Sequence, residues 1–424
     1  WDQQRRLNKQ PSPSMSDEPP RTAKEIRQEL PRMDVALPSS KATRSELEAL
    51  WRQHRPARPN VSGSASAPAA KSGPQRKSCG AATGLAIAAL AAGWGCLSRL
   101  SPVSGTTPLL HLGIPRGFDE ASLPDLSSKV VLITGANVGL GRGTARVLAR
   151  ANAQLIVSAR SEAKCAGAVA GIKAAAGPRA SVDCLPLELS SLASVKRFCE
   201  AVRPKLQALG GLHALVLNAG VMFPPYMLTE EGIEWQFGVN HVAHFLIARE
   251  LQGMLVASAP SSCVAVSSLA HEWPKPAGGV LLELDAINDA AMYSPHAWYA
   301  QSKLANLLFS QELDARLHAK GVSANAVNPG AVQGELLRWS KAAASSRAAP
   351  LSPLFDAVER ALLAFYWPEE AGGLSVAYAA LAGPVLGHAG AHGKYFVPVA
   401  REWPASTLDG HARNVTLQRG LWSF

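Results

Sequence analysis

One tyrosine and one lysine in the second half of the chain have the spacing of a helical acid/base pair. Tyr299 and Lys303 are four residues apart in Tyr-Ala-Gln-Ser-Lys, so on a helix they share one face. A phenol has a pKa of about 10 in water, and an ammonium group beside it stabilises the phenolate and lowers that pKa. The pair therefore predicts a proton donor and acceptor that works near neutral pH. This motif is common by itself, so its meaning depends on the motifs around it.

A glycine-rich run lies where the first apolar segment changes into a helical pattern. Val130–Thr134 is the apolar segment, and the helical pattern starts near Arg142. Glycines at such a turn let the backbone approach a pyrophosphate, and the free N–H groups at the helix start attract negative charge. A tight turn without a ligand is the competing interpretation, which the position after a first strand disfavours. The predicted cofactor contacts in this turn are Gly135, Asn137, Gly139, Leu140 and Gly141.

Arg160 follows the second apolar strand, at the position that selects between the two nicotinamide dinucleotides. A carboxylate there would bind the ribose 2′-hydroxyl of NAD and repel the 2′-phosphate of NADP. The nearest acid is Glu162, whereas an arginine can pair with a phosphate through two hydrogen bonds. The sequence therefore favours NADP(H) over NAD(H). The alternative is a solvated arginine that only borders the next helix.

Small and polar residues follow later strands in the same way. Asn218, Ala219 and Gly220 come after the fourth strand, at the topological switch point where a ligand crevice opens. Asn240 lies in Val-Asn-His, and Ser268 follows the fifth strand, where its hydroxyl can hold a substrate oxygen. In this order, the turn, the two asparagines, the serine and the Tyr-x-x-x-Lys pair form a specific pattern.

Apolar runs of strand length alternate with segments long enough for helices from Lys129 onwards. Strands that are apolar throughout are buried on both faces, which is typical of a parallel sheet with helices on both sides. Right-handed crossovers then predict a single doubly wound, Rossmann-type α/β domain. The predicted strands are Val130–Thr134, Gln154–Ala159, Ser181–Leu187, His213–Leu217, Ser262–Ser267, Val322–Val327 and Lys394–Val397.

The chain divides into segments of different composition. Residues 1–79 are rich in Pro, Ser and Arg and carry 15 Lys/Arg against 8 Asp/Glu, which is typical of a disordered basic arm. Residues 80–100 read as a hydrophobic anchor or targeting segment, 101–128 as a linker, 129–400 as the domain and 401–424 as a C-terminal tail. The net charge of +10 belongs mostly to the arm. No base-reading helix or stacking platform accompanies it, so nucleic acid is not an expected partner.

The N-terminal region leaves two questions open. Residues 81–97 contain no charged residue, and a helix of that length spans about 26 Å against the roughly 30 Å of a hydrocarbon core. A short membrane anchor, part of an organelle targeting peptide and a helix packed on the domain all fit. The first two predict a membrane-associated or organellar protein, in a plastid or the endoplasmic reticulum. The chain starts at Trp1 and its first methionine is Met15, which fits either a fragment or a mis-assigned start.

The cysteines and histidines show no metal-binding spacing. There is no Cys-x-x-Cys pair, so the cysteines are predicted as reduced, buried thiols rather than a disulfide framework, and no zinc site is expected. His241 and His244 lack the glutamate of a metalloprotease helix and are predicted as packed or solvated side chains. His388 and His392 lie among glycines and are predicted to be solvated. The cysteines are Cys79, Cys96, Cys165, Cys184, Cys199 and Cys263.

These motifs together resemble the short-chain dehydrogenase/reductase superfamily over residues 129 to about 400. The details are similar to its retinol dehydrogenase and WW-domain oxidoreductase branch, which includes related plastid-envelope dehydrogenases. The runs that carry the likeness are Val239-Asn240-His241, Ser267-Ser268-Leu269-Ala270-His271, Tyr293-Ser294-Pro295, Tyr299 to Phe309 and Asn328-Pro329-Gly330.

The resemblance implies a catalytic set of Asn240, Ser268, Tyr299 and Lys303. In the family the tyrosine is the general acid/base and the serine polarises the carbonyl. The lysine lowers the tyrosine pKa and holds the nicotinamide ribose, so Tyr299 and Lys303 also bind cofactor. The asparagine fixes a helix kink and a water of the proton relay. Ser268 rather than Ser267 matches the family's position, although strand alternation turns the two in opposite directions.

The resemblance also implies further cofactor contacts, with two departures from the family. Pro329 and Gly330 are expected to border the nicotinamide, and Glu188 and Leu189 the adenine. Many relatives have Asp at position 188, so Glu188 is expected to bind adenine differently. Relatives often carry Thr after the Pro-Gly turn, and Gln333 or the backbone would replace it here.

Apolar residues flank the predicted site and favour a lipophilic substrate. Trp273 lies between Ser268 and Tyr299, and the segment 331–367 is rich in Leu, Phe and Trp, which predicts a substrate lid. The same residues would equally serve in the core or at a homodimer face. The sequence thus predicts an NADP(H)-dependent oxidoreductase for a lipophilic carbonyl or alcohol, such as a retinoid, steroid or aldehyde. The alternative is a non-catalytic, NADP-sensing subunit of a membrane complex.

Overall fold

The computed structural model describes residues 117–336, 338–339 and 366–424. The predicted basic arm, the hydrophobic segment 81–97 and most of the linker lie outside the described residues, as does most of the predicted lid. Within the part of the chain that is described, no helix combines the length and the hydropathy that a membrane span needs.

Eight strands form one sheet in the order β3-β2-β1-β4-β5-β6-β7-β8, in which β1 to β7 are parallel and β8 is antiparallel to β7. This confirms the predicted doubly wound parallel sheet, and each predicted strand is found with its ends moved by at most one residue. The strands are β1 Val130–Ile133, β2 Gln154–Ala159, β3 Val182–Pro186, β4 Ala214–Leu217, β5 Ser261–Val266, β6 Val322–Val327, β7 Tyr395–Val397 and β8 Arg401–Glu402.

The crossovers between the strands carry the longer helices. These are α1 Gly139–Arg150, α2 Glu162–Ala176, α3 Leu192–Ala208, α4 Ala243–Ala257, α5 Pro295–Leu317, α6 Glu369–Leu381 and α7 Val415–Ser423. Shorter helical turns lie at Glu120–Ser122, Trp235–Phe237, Gly238–Val242, Leu269–Glu272, Leu284–Ile287, His318–Lys320 and Ala405–Thr407.

The central strands are buried on both faces, as their composition predicts. Every residue of β1, β4, β5 and β6 is buried, because helices cover both sides of the sheet. The chain adds β2 and β3 on one side of β1 and then returns to place β4 on the other. A crevice therefore opens at the carboxyl ends of β1 and β4, the switch point of this topology.

Helix α5 holds the Tyr-x-x-x-Lys pair in a fixed place. Ser294 caps its start by accepting a hydrogen bond from the Ala297 N–H, and Pro295 occupies the first helical position. From Trp298 to Ser310 every residue is buried. A helix surrounded by packed groups on all sides leaves its side chains little freedom, so the Tyr-x-x-x-Lys face is set by the fold.

Both ends of the described region pack on the domain, which corrects the predicted linker and tail. Leu126, within the predicted linker, is fully buried. Residues 401–424 supply β8 and α7, and the Trp422 ring of α7 stacks on Phe309 of α5 at 6.1 Å between centroids. These segments carry apolar side chains that would otherwise face water, so the domain is larger than the predicted range 129–400.

The prediction of reduced cysteines is wrong at one pair. Cys165 and Cys184 form a disulfide, with 5.3 Å between their Cα atoms. Cys165 lies in the first turn of α2 and Cys184 in β3, so the α/β crossover brings together two residues that are 19 apart in sequence. Cys199 and Cys263 are buried free thiols, as predicted. Cys79 and Cys96 lie outside the described residues.

Candidate functional site

The glycine-rich turn between β1 and α1 has the backbone shape that only glycine adopts easily. Gly135 and Gly139 have φ angles of +69° and +60°. A Cβ on Gly141 would clash with the carbonyl oxygen of Gly135 and with the Asn218 side chain. Asn218 Nδ2 donates hydrogen bonds to the carbonyl oxygens of Thr134 and Gly135, at 2.8 and 3.0 Å. The Asn218 side chain, predicted as a cofactor contact, is thus engaged in holding the turn.

A carboxylate that the sequence reasoning missed also holds this turn. Glu369, at the start of α6, accepts a hydrogen bond from the Gly139 N–H at 2.9 Å. The same carboxylate receives two hydrogen bonds from Arg142, both at 2.7 Å, and these raise the pKa of that guanidinium. The Pro-Glu-Glu run in the sequence indicates the start of a helix. It lies far from the glycine-rich turn in the sequence, so it does not predict a contact between the two.

The predicted adenine end is formed by residues after β2 and β3. Arg160 is exposed, and Leu189 is buried. The Glu188 carboxylate accepts hydrogen bonds from the N–H and hydroxyl of Ser190, at 3.0 and 2.9 Å, so it is folded back onto its own turn. Arg338 was not predicted: burial lowers its pKa, and the positive charge of Arg160 lowers that pKa further. The two guanidinium groups therefore act on each other across this end of the site.

Asn240 lies in a π-helical turn, Gly238–Val242, which leads into α4. Its side chain is fully buried. The Oδ1 atom accepts a hydrogen bond from the Val221 N–H at 2.8 Å, and Nδ2 donates to the Val221 carbonyl and to the Ser302 hydroxyl, each at 3.0 Å. The side chain thus joins the irregular helix, the loop after β4 and helix α5.

Ser268, Tyr299 and Lys303 come together at the carboxyl end of β5. The Ser268 hydroxyl acts on the Tyr299 phenol and lowers its pKa, although burial has the larger and opposite effect. Lys303 Nζ donates to the Val266 carbonyl oxygen at 3.1 Å and lies 5.5 Å from the centroid of the Tyr299 ring. Ser267 instead donates its hydroxyl to the Lys303 carbonyl oxygen at 2.7 Å. The two neighbouring serines therefore face in different directions, and only Ser268 faces the phenol.

Burial controls the protonation of this pair. Tyr299 is 3% exposed and Lys303 is 4% exposed. Burial raises the pKa of Tyr299 above its usual range, and the hydrogen bond with Ser268 offsets this only in part. Burial lowers the pKa of Lys303 to about 8. The expected lowering of the phenol pKa by Lys303 is thus outweighed by loss of water around both groups, and Tyr299 keeps its proton at neutral pH.

The other predicted contacts lie on loops at the same end of the sheet. A Cβ on Gly220 would lie 3.1 Å from Asn240 Oδ1 and 3.7 Å from Lys303 Nζ, so this glycine leaves space beside the lysine. Gly330 has a φ of +77° and lies against the Trp367 ring. Buried or half-buried positions are also found for Asn137, Leu140, Ala219 and Pro329.

Two aromatic rings, Phe223 and Trp273, pack against the Tyr299 ring, and the His296 ring packs against both of them. The Phe223 ring centroid lies 5.6 Å from that of Tyr299 and 4.2 Å from that of His296. Trp273 lies 6.3 Å from Tyr299 and 6.1 Å from Phe223. The sequence reasoning named Trp273 but missed the other two. His296 could have been found, because it stands three residues before Tyr299 on the same helix.

The two histidines beside Asn240 are packed, as predicted. His244 hydrogen-bonds to the Asn240 carbonyl oxygen at 3.1 Å and to the Thr134 hydroxyl at 3.0 Å. His241 hydrogen-bonds to Asn306 at 3.2 Å. Burial lowers the pKa of His241 to about 4 and that of His244 to about 3. These histidines brace the site in their neutral form.

Acid is expected to destabilise the fold because of such buried histidines. His271 is a third, with its pKa lowered to about 4 by burial, so all three stay neutral in the folded chain while the unfolded chain binds protons below about pH 6.5. Glu234 acts in the opposite direction, since burial raises its pKa to about 7 and the folded chain binds that proton first. With these four groups, the unfolded chain binds roughly two more protons than the folded chain near pH 5.5. The unfolding free energy should therefore fall by about 2–3 kcal/mol for each pH unit of acidification in this range.

Urea unfolding between pH 7 and pH 5 measures this slope. His271→Phe should reduce the slope of unfolding free energy against pH by the contribution of about one proton. Stability that is constant or rises on acidification would contradict the assignment.

Residues 129–281 match the family model described as short chain dehydrogenase. Human retinol dehydrogenase 13 is 35% identical over 331 residues, which cover 77% of this chain and 92% of that protein. The chain therefore belongs to the short-chain dehydrogenase/reductase family. It is an oxidoreductase that acts on a CH–OH or C=O group and binds a nicotinamide cofactor.

Other relatives place the chain in the retinol dehydrogenase-like branch, as the sequence motifs predicted. Human retinol dehydrogenase 14 is 36% identical over 313 residues, 70% of this chain and 85% of the relative. The chloroplastic short-chain dehydrogenase TIC 32 B of Brassica napus is 35% identical over 308 residues, 71% of this chain and 88% of the relative. The crystal structure of an uncharacterized protein from Mycobacterium paratuberculosis has a TM-score of 0.54 and 32% identity, covering 72% of this chain and 95% of that one.

Proposed function

We propose that this protein transfers a hydride between NADP(H) and a lipophilic carbonyl or alcohol of the retinoid, steroid or long-chain aldehyde type. The observation that carries the proposal is the aromatic enclosure of Tyr299 by Phe223 and Trp273, with His296 packed against both of these rings. A substrate oxygen that reaches the phenol brings its carbon skeleton among these rings, which favours an apolar skeleton. Two of the similar human proteins are named retinol dehydrogenases, which supports the same substrate class.

The residues present fit a nicotinamide dinucleotide. The positive φ angles of Gly135 and Gly139 and the absence of a Cβ at Gly141 shape a turn whose backbone can approach a pyrophosphate. At the other end, Gly220 keeps open the space beside Lys303 Nζ that a ribose would use. When bound, the nicotinamide supplies the hydride donor or acceptor for the substrate carbon.

In the reducing direction, the side chains of this site act on the substrate oxygen. The Ser268 hydroxyl hydrogen-bonds to the carbonyl oxygen, and the Tyr299 phenol gives its proton to that oxygen as negative charge develops. Burial supports this role because it keeps the phenol protonated at neutral pH. Lys303 is a cation below about pH 8, and its place near the ring stabilises the phenolate that remains after the proton has left.

The preference for NADP(H) is argued from Arg160 and Arg338. These two guanidinium groups are both positive and repel each other, so an anion that lies between them is stabilised by both. A 2′-phosphate supplies that anion, whereas the 2′-hydroxyl of NAD does not. Glu188 is held by Ser190, and the charge of the Glu335 carboxylate only partly offsets the lowered pKa of Arg338.

Arg160→Gln should weaken NADPH binding by about 10- to 100-fold, which corresponds to the loss of one charge-assisted hydrogen-bond pair, and leave NADH binding nearly unchanged. Arg338→Gln should act in the same direction. Dissociation constants for both dinucleotides can be measured by quenching of tryptophan fluorescence. Arg197→Gln on the exposed face of α3 removes the same charge elsewhere and is the control. Equal weakening of NADPH and NADH, or tighter binding of NADH by the unaltered protein, would refute the preference.

The substrate class is tested by turnover of retinal, a steroid ketone and a series of aldehydes of increasing length, each with NADPH. We expect kcat/KM to rise with chain length, because each added methylene enters the aromatic enclosure. Trp273→Ala should reduce that gain while short aldehydes are affected less. Preference for short or charged carbonyl compounds would contradict the proposal.

We also propose a membrane-associated or organellar location, in a plastid or the endoplasmic reticulum. The proposal is supported by the uncharged segment 81–97 and by the chloroplastic relative TIC 32 B. Cell fractionation of the full chain and of a chain lacking 81–97 tests it. An unchanged distribution after the deletion would remove the role given to this segment.

A further inference from the structure

We propose that Asp314, His318 and His392 form a site for a divalent transition-metal ion of the Zn²⁺ type. These side chains offer one carboxylate oxygen and two imidazole nitrogens, and the three ligand atoms lie within 4.8 Å of one another. Carboxylate oxygen and imidazole nitrogen are ligands that Zn²⁺ and neighbouring metals accept. Neither the catalytic site nor the cofactor-binding turn uses any of the three.

The site lies at the opposite end of α5 from the catalytic pair. Asp314 follows Lys303 by eleven residues on this helix, which corresponds to about 16 Å along the axis. His318 follows the last helical residue, just before β6 starts at Val322, and His392 precedes β7. The three residues therefore meet at the amino ends of β6 and β7, whereas the catalytic crevice is at the carboxyl ends.

The carboxylate of the site is already oriented by the fold. Asp314 and His318 are four residues apart and share one face of the helix end. Asp314 Oδ1 accepts a hydrogen bond from the Ala324 N–H at 2.9 Å, which leaves Oδ2 directed at His392 Nδ1, 2.8 Å away. A backbone donor that fixes a ligating carboxylate is the usual support of a metal ligand.

The loop that carries His392 is fixed to the same strand. Gly393 donates its N–H to the Ala324 carbonyl oxygen at 2.9 Å, so Ala324 holds both the carboxylate and the loop. Gly393 has a φ of +62°, and a Cβ there would lie 3.0 Å from Asp314 Oδ2. Glycine at this position therefore lets the loop approach the carboxylate closely and places His392 beside it.

The two imidazole rings lie next to each other with room to adjust. The His318 and His392 rings stack at 3.6 Å between centroids and are inclined by 10°. Zn²⁺ with bonds of about 2.1 Å in tetrahedral geometry requires ligand atoms about 3.4 Å apart, so a pair of atoms at the 4.8 Å limit would have to close by about 1.4 Å. His318 is exposed and can supply this by rotation of its side chain, while a water molecule completes the fourth position.

A metal here would join three parts of the fold. The ion would link the end of α5 to the loop before β7, across the start of β6. Because it binds the folded arrangement and not the unfolded chain, it would raise the melting temperature of the protein. The prediction that His392 is solvated is only partly correct. Its side chain is 35% exposed and is hydrogen-bonded to the largely buried carboxylate of Asp314.

Calorimetric titration of the full chain, with any affinity tag removed, with ZnCl₂ tests the proposal. We expect one ion to bind and the melting temperature to rise with Zn²⁺, and Co²⁺ to give the visible absorption bands of a tetrahedral site. His318→Ala and His392→Ala should each weaken binding by at least about 10-fold. His388→Ala removes an exposed histidine four residues from His392 and should bind as the unaltered chain does.

His318→Ala decides the outcome if His392→Ala fails to fold, because His318 is exposed. A chain that binds no Zn²⁺, or whose binding is unaffected by His318→Ala, would overturn the proposal and leave a hydrogen-bonded histidine–aspartate pair. The Zn²⁺ titration needs neither NADPH nor substrate, so its result is independent of the proposed oxidoreductase function.

Discussion

We expect Tyr299→Phe to lower kcat for carbonyl reduction by about 10²–10⁴-fold, because the variant has no proton to give to the substrate oxygen. The Tyr299 ring is buried and packs against Phe223 and Trp273, so it should keep its place when the hydroxyl is removed. Binding of NADPH should therefore remain close to that of the unaltered protein. Single-turnover kinetics measure the chemical step, and fluorescence titration measures the binding of NADPH.

Tyr293→Phe is the matched control for this result. Tyr293 lies shortly before α5, and its hydroxyl donates a hydrogen bond to the Pro224 carbonyl oxygen at 2.8 Å. Its removal should lower the unfolding free energy by about 1 kcal/mol while turnover is kept. If Tyr299→Phe retains turnover, the phenol is not the proton donor and the mechanism fails. If both variants lose turnover to the same extent, a general loss of structure is the cause.

Asn240→Ala has the second largest expected effect, on both stability and turnover. The change leaves the N–H and carbonyl of Val221 without the hydrogen bonds that Asn240 makes to them, and the Ser302 hydroxyl loses the bond that it accepts from Asn240. We expect the unfolding free energy to fall by about 3 kcal/mol. We also expect kcat to fall by about 10²-fold, because the loop after β4 and helix α5 lose the group that sets their separation.

Asn325→Ala separates these two effects. Asn325 is fully buried in β6 and makes three hydrogen bonds to the backbone of Ala379, Ala391 and Lys394, so its loss should cost similar stability. It does not contact Asn240, Tyr299 or Lys303, and kcat at a temperature where the variant is folded should be retained. Equal losses of kcat in the two variants would show that Asn240 acts through stability alone.

The sequence determined the sheet because strand burial is a local signal. Residues that are apolar throughout a short run, such as Val130–Ile133, can only be buried on both faces, and their order along the chain then gives the parallel arrangement. The positive φ angles of Gly135 and Gly139 were likewise foreseeable, since a glycine-rich turn between strand and helix has few shapes. Helix geometry alone predicts that Tyr299 and Lys303, four residues apart, lie on the same face of α5.

Contacts between distant segments could not be predicted in this way. Glu369 binds the glycine turn from 230 residues away, and Cys165 meets Cys184 only because a crossover helix lies over β3. Neither pairing has a local pattern, because its cause is the packing of whole elements. The same holds for Arg338, whose pKa is lowered by the charge of Arg160, a residue far from it in the sequence.

The sequence by itself determined the doubly wound sheet, the glycine turn and the helical spacing of Tyr299 and Lys303, since each depends on near neighbours in the chain. Only the tertiary structure decided which serine faces Tyr299, in which direction the phenol pKa moves, and that Asp314, His318 and His392 meet. The physical reason is that hydrogen-bond direction and loss of water depend on what packs around a group, and distant parts of the chain supply those neighbours.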